Sequence, residues 1–318
     1  MHKVIFDTDP GVDDAMALLF LHRHPEVELL GVTTVFGNAS IENTTRNALF
    51  LREAFGIDAP VARGAGTPYD PARIPHAYPV MVHGENGLGD IPIPDTPPSR
   101  PLDHEDAAQF IIDTVHAHPG EVSVVAVGRM TNLANALRRD PAIAGLVKQV
   151  VIMGGSFHVP GNVSPAAEAN IHGDPEAADA VTTAPWKLTV IGLDVTGQTV
   201  MTRAELAALS DAGGSDLALL DALSQDYIRF YGHLLEDGML VHDTCACVAL
   251  VRPDLFQTVQ GAVRVVCGGI ADGQTILKPA GRRFPPGEWD GLPEQTVAVG
   301  VAASAVMALI TETLARAQ

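Results

Sequence analysis

"KVIFDTDPGVDDAMAL", Lys3–Leu18, carries the pattern from which the fold can be read. Lys3–Phe6 is a short β-branched and aromatic run, and an apolar helical stretch begins at Asp14. Between them, Asp7–Asp14 places four carboxylates in eight residues, with Pro10 and Gly11 bending the chain. Like charges this close repel, so either protons or a cation must lie among them. Capping of the following helix accounts for one or two of these aspartates, not four.

The strand–turn–helix pattern recurs. Strands are expected at Lys3–Phe6, Val27–Val35, Val122–Val127, Lys148–Met153, Lys187–Leu193 and Ala262–Cys267. Several are nearly continuous apolar runs, as in strands covered on both faces. Helices are expected at Asp14–His22, Ile41–Phe55, Glu105–His118, Leu133–Arg139, Pro175–Thr183, Asp216–Leu235, Thr244–Leu250 and Thr296–Ala315. This alternation predicts an α/β fold with an open, mostly parallel, Rossmann-like sheet flanked by helices. Only Thr67–Pro101 breaks the rhythm. It is dense in Pro and Gly, contains "VHGENGLGD" (Val82–Asp90), and reads as a loop covering a site. No linker or internal repeat divides residues 1–318, which read as a single domain.

Composition narrows the function. The chain has 318 residues, 47% hydrophobic and 18% charged, as in an ordinary globular protein. A net charge of −18 without a Lys/Arg cluster excludes a phosphate-backbone partner, so no nucleic acid is expected. The start lacks the apolar core of a signal peptide, and the longest apolar run, Val297–Ile310, is short for a membrane span and reads as a buried helix. Three cysteines, Cys245, Cys247 and Cys267, fit a reducing compartment, so a cytoplasmic protein with no membrane partner is expected.

In parallel α/β sheets, ligands bind beyond the carboxyl ends of the strands. Five expected strands deliver polar residues there: Asp7 and Asp9, Asn38, Thr131 and Asn132, Gly154–Asn162, and Asp194. Glu168 and Asn170 precede a further helix, and His242 and Asp243 open another. Capping explains Asp243 and Asp174, but not His242, Glu168 or Asn170. An oxygen-rich, sulfur-poor set points to a hard cation, Ca²⁺ or Mg²⁺. Because no complete EF-hand loop is present, its ligands must come from distant segments, with Asp243 the natural distant one.

"DTDPGVDDAMAL", Asp7–Leu18, resembles the N-terminal signature of the nucleoside hydrolases, the inosine–uridine-preferring N-ribohydrolases. The resemblance continues through Asn38, "HGENGLGD", "TNLA", "VIMGGSF", "GNVSPAAEANIHGDPEAA" and "VHD", in family order. It implies Ca²⁺-dependent hydrolysis of the N-glycosidic bond of ribonucleosides, in purine or pyrimidine salvage, by a homo-oligomer (dimer or tetramer). Carried over residue by residue, it implies that Asp9, Asp14, Asp243 and the Thr131 carbonyl bind the ion. Asp9 would be the general base on water, oriented by Asn38. Asp13, Asn162, Glu168 and Asn170 would hold the ribose, with Met153 lining its pocket. His242 would protonate the departing base, with His83 and Tyr231 nearby.

Ala169, Gly197 and Arg129 depart from residues common in the family, and bear on base preference rather than on the ion. His158 and His172 are weak site candidates, and Asp7 reads as a supporting or turn residue. Two other readings compete. Asp7-x-Asp9 after a buried strand resembles the nucleophile and acid of a Mg²⁺-dependent haloacid-dehalogenase-type phosphohydrolase. A non-catalytic nucleoside- or ribose-binding protein would need neither Asp9 as a base nor His242 as an acid.

Overall fold

The structure, a computed structural model, describes residues 1–94, 96 and 98–316. Its strands in chain order are β1 (His2–Thr8), β2 (Val27–Thr34), β3 (Val61–Arg63), β4 (Val122–Ala126), β5 (Gln149–Met153) and β6 (Leu188–Ile191), followed by β7 (Val200–Met201), β8 (Met239–Leu240), β9 (Phe256–Val265), β10 (Thr275–Pro279) and β11 (Gln295–Val301). Nine of them form one sheet in the order β10-β9-β11-β6-β5-β4-β1-β2-β3, while β7 and β8 form a separate antiparallel ribbon. All pairings from β3 across to β11 are parallel; β9 pairs antiparallel with both β11 and β10. The expected α/β architecture is therefore present.

The chain runs outward from β1 to β2 and β3, then returns to the other side of β1 for β4, β5 and β6. This reversal opens a crevice at the carboxyl ends of β1 and β4, where ligands bind in doubly wound sheets. Val4, Ile5 and Phe6 of β1 are completely buried, as a central strand with helices on both faces requires. Helix Val12–Arg23 follows at once and is buried from Val12 through Leu21, apolar on every side after its first turn. It packs on helices His242–Val251 and Ser215–Tyr231. The acidic segment at Asp7–Asp14 and Asp243 are thereby brought together.

One expected element is corrected. Thr296–Ala315 is not a single helix: β11 occupies Gln295–Val301 and a helix Ala303–Leu314 follows. The apolar run Val297–Ile310 is likewise split. Val297, Val299 and Val301 alternate along the strand, and a register shift lies between Ala298 and Gly300. A short apolar run does not distinguish strand from buried helix, and here the pairing offered by β6 and β9 decides. Strands β3 and β10 and helix Arg203–Ala212 were not expected. Elsewhere the expected boundaries hold to within a few residues, except that β9 begins at Phe256. Helix Ser215–Tyr231 stops short of Leu235, followed by Gly232.

Between residues 67 and 101 only Val80–His83 is helical among the described residues. No helix among the described residues is long and apolar enough to cross a membrane.

Candidate active site

The loop after β1 places Asp9 and Gly11 at the crevice, and helix Val12–Arg23 starts with Asp13 and Asp14 in its first turn. Asp14 accepts hydrogen bonds from Thr8 Oγ1, the Gly11 amide (2.9 Å) and Asn38 Nδ2 (2.9 Å). Asp9 Oδ2 accepts the backbone amide of Asn38 at 2.7 Å. Asn38 therefore ties the two aspartates together, holding Asp9 through its backbone rather than its side chain. Two glycines close around Asp9: a Cβ on Gly37 would overlap its Oδ2, and one on Gly128 would crowd Oδ1.

Asp13, Asp14 and Asp243 present carboxylate oxygens within 4.8 Å of one another, and all three are buried. Burial, then mutual repulsion, raises Asp243 well above the usual carboxylate range; burial and Asp14 raise Asp13. Asp9 is also raised well above its ordinary value by burial and by Asp14, against the pull of Arg129. Such a group is stable only with shared protons or a cation. The donors are all oxygens, so the set suits a hard divalent ion. The trio contains Asp13, which the resemblance assigned to the sugar. Asp9 stands beside it, one hydrogen bond behind Asn38. Thr131 begins helix Thr131–Arg139, with its hydroxyl donating to Asp174 at 2.6 Å.

Above these acids lies a cavity of about 640 Å³, large enough for a nucleoside-sized ligand. Asp13, Asn38, His83, Met153, Asn162, Glu168, Asn170, Tyr231, His242 and Asp243 all line it. Asp9, Asp14 and Thr131 do not. Glu168 caps helix Ala169–Gly173, accepting the amides of Asn170 and Ile171, and its Oε2 also takes the Gly155 amide at 3.0 Å. These bonds lock its carboxylate in one orientation. Asn170 donates to the carbonyls of Val127 and Met153, and Asn162 accepts the Ala169 amide.

The third wall is aromatic. His242 is held from both ring nitrogens, Nδ1 2.8 Å from Thr196 Oγ1 and Nε2 3.0 Å from Tyr231 Oη. Burial lowers its pKa to about 4, which favours the neutral imidazole at neutral pH. His83 is lowered to about 3 by burial and by His242, and its Nδ1 accepts the Val12 amide at 3.4 Å. Tyr227, edge-on to Tyr231 at 5.0 Å between ring centroids, also lines the cavity. The loop at 67–101 contributes Pro79, Val82 and His83, so it forms part of the wall.

Sequence reasoning missed Thr196, Gly37 and Gly128, and it assigned Arg129 to base preference, whereas the structure sets it beside Asp9. Thr196 fixes His242 from the end of the short helix Leu193–Thr196 that follows β6, in the "LDVTG" after a readable strand. Arg129 is buried beside Asp9, with its guanidinium 4.3 Å from the Phe36 ring centroid. Gly37 and Gly128 shape the Asp9 niche, which only spatial proximity reveals. Asp7, by contrast, is completely buried, bonded to Thr33 and Asn132 and absent from the cavity lining. Its bonds to Thr33 and Asn132 tie it to β2 and to helix Thr131–Arg139, in keeping with a supporting residue rather than a nucleophile.

The family described as inosine-uridine preferring nucleoside hydrolase matches residues 4–308. The chain is 46% identical over 288 residues to uridine nucleosidase 1 of Arabidopsis thaliana, covering 89% of this chain and 83% of that protein. Its structure is similar to that of a plant nucleoside hydrolase, with a TM-score of 0.93 at 39% identity over 99% of both chains. A purine-preferring ribonucleoside hydrolase from Gardnerella vaginalis superposes with a TM-score of 0.89 at 33% identity, over 98% of both chains.

Proposed function

The chain belongs to the inosine-uridine preferring nucleoside hydrolase family and is an enzyme acting on the N-glycosyl bond of ribonucleosides; from that premise we propose that it works with Ca²⁺ through Asp9, Asp14, Asp243 and the Thr131 carbonyl. The observation that carries this reading is the cluster of buried carboxylates beneath a nucleoside-sized cavity, opposite a wall of tyrosine and histidine. Asp13 belongs to the same cluster and is free to contact either the ion or a ribose hydroxyl.

Cleavage of an N-glycosidic bond builds positive charge on the ribose ring. The carboxylates face that charge, and Asp9 takes the proton from the attacking water. Asn38 and the two glycines hold Asp9 where it must act. Glu168, Asn170 and Asn162 bind ribose hydroxyls, and Met153 packs beside the sugar. A bound divalent cation would supply a lower water pKa and a grip on the vicinal hydroxyls.

The departing base needs a proton. With Thr196 donating to Nδ1, His242 carries its own proton on Nε2 and donates to Tyr231 Oη. The phenol proton is then free to turn toward the base. Proton transfer of this kind contributes typically 10²–10⁴-fold. His83 stays neutral and accepting, a wall of the base site rather than an acid. The protein is further proposed to be a single domain and a cytoplasmic homo-oligomer, in keeping with its three unpaired cysteines and the family resemblance.

A steady-state panel of common purine and pyrimidine ribonucleosides and their 2′-deoxy forms, with and without chelator, tests this reading. Free base and ribose should appear from ribosides, much less from deoxyribosides, and neither after chelation. Tight nucleoside binding without release of base would favour the non-catalytic alternative.

A further inference from the structure

On the far side of helix Ala169–Gly173, three segments remote in sequence meet. His76 comes from the 67–101 segment, His172 from the helix itself, and Asp272 from the turn between β9 and β10. One ligand atom from each lies within 4.8 Å of the others, and the two imidazoles stack with ring centroids 4.2 Å apart. The approach is enforced by backbone. Gly273 has φ of +80°, and a Cβ there would stand 2.7 Å from the His172 Cα. Only glycine lets the β9–β10 turn bring Asp272 this close to the helix.

Two imidazoles and one carboxylate form a donor set of different character from the acidic centre. Nitrogen ligands suit Zn²⁺ and its first-row neighbours and do not suit Ca²⁺ or Mg²⁺. Each Asp272 oxygen accepts one N–H of Arg73, at 2.8 and 3.1 Å, which orients the carboxylate and leaves further lone pairs on both oxygens. Arg73 is also paired with Glu176, so two carboxylates balance one guanidinium and the local charge stays negative. His76 is exposed and the other two are half-buried, which leaves an entry path and open coordination positions for water.

We propose that His76, His172 and Asp272 form a second metal site, selective for a Zn²⁺-class transition ion and separate from the acidic centre. The ion straps the segment that contributes Pro79, Val82 and His83 to the cavity onto the helix that carries Asn170. Its effect is to stiffen one wall of the nucleoside site.

Tag-free, full-length protein, kept in excess Ca²⁺ to occupy the acidic centre, is titrated with Co²⁺ and with Zn²⁺. Binding is followed by calorimetry and by the Co²⁺ absorption spectrum. One equivalent should bind, at least tenfold more weakly in both His76→Ala and His172→Gln. Asp243→Asn should bind it as wild type does, and thermal melting checks that each variant is folded. The ion should slow proteolytic cleavage within residues 67–101 several-fold in wild type but not in His172→Gln. Equal affinity in wild type and both histidine variants overturns the proposal. So does an equivalent that disappears in Asp243→Asn and persists in the histidine variants, which would place it at the acidic centre.

Discussion

Tyr231 Oη lies 3.0 Å from His242 Nε2, and the opposite nitrogen of the same ring meets Thr196 Oγ1. Tyr227 packs edge-on to Tyr231. The three polar groups make a chain whose outer member, Tyr231, lines the nucleoside cavity. Burial lowers the pKa of the histidine to about 4, which suits the proposed role of a neutral relay.

This arrangement predicts a graded series. Tyr231→Phe should lower kcat by about 10²-fold, within the usual range for general acid catalysis, and change KM little. Thr196→Val should act in the same direction but less strongly, since it removes only the group that sets the tautomer. His242→Ala should injure substrates with poor leaving bases most. Equal kcat for wild type and all three variants on every nucleoside would reject the relay.

The glycines around Asp9 give a sharper test of position. Neither Gly37 nor Gly128 has a positive φ, so alanine costs little in backbone strain at either site. The added methyl nevertheless lands on the carboxylate. Gly128→Ala is expected to lower base release by about 10²-fold or more, the scale on which misplaced catalytic groups are felt. Its far-UV circular dichroism should be unchanged. Asp9→Ala should abolish release in a folded protein. Full activity in Gly128→Ala would mean that Asp9 does not act from this niche.

Removal of divalent ions should abolish turnover, and Ca²⁺ should restore it better than Mg²⁺. The ion should also stabilise the fold, because the carboxylates it neutralises otherwise repel. At a hundred times its dissociation constant the gain is about 2.7 kcal/mol. Thermal melting with chelator and with graded Ca²⁺ measures this; a melting temperature indifferent to Ca²⁺ contradicts it.

Asp7 gives a pH signature of its own. Burial pushes its pKa up to about 6, and Oδ2 has no hydrogen-bond partner among the described residues. Between the ordinary carboxylate pKa and about 6, the folded protein binds more protons at this site than the unfolded chain. Stability from this group is therefore complete below pH 4 and declines as pH rises to 6. The loss is about 3 kcal/mol, from two pKa units at 1.36 kcal/mol each. Denaturant titrations of wild type and Asp7→Asn from pH 4 to 8 should show a decline smaller by about 3 kcal/mol in the variant, the remainder coming from the other buried carboxylates. Parallel profiles would show that Asp7 is not the group responsible.

Much of this site is visible in order along the chain. Asp9, Asp13 and Asp14 follow a buried strand, Asn38 and Thr131 follow two more, and Glu168 and Asn170 lie beside a helix start. The strands at Lys3–Phe6 and Val122–Val127 were readable because central parallel strands are apolar on both faces. β11 was not, because alternating valines with alanine and glycine fit strand and helix equally well until β6 supplies a partner. β3 has only three residues, too few to show a period.

The residue types and their order thus determined the α/β class, the strand edge at which polar residues gather, and the all-oxygen donors of the acidic set, since these follow from local periodicity and side-chain chemistry. Tertiary structure alone decided which carboxylates share a space, that Asn38 holds Asp9 by its backbone, that His242 is buried between Thr196 and Tyr231, and that His76, His172 and Asp272 converge. Distance and burial between separate segments of the chain control charge and pKa. No pattern within a single segment encodes them.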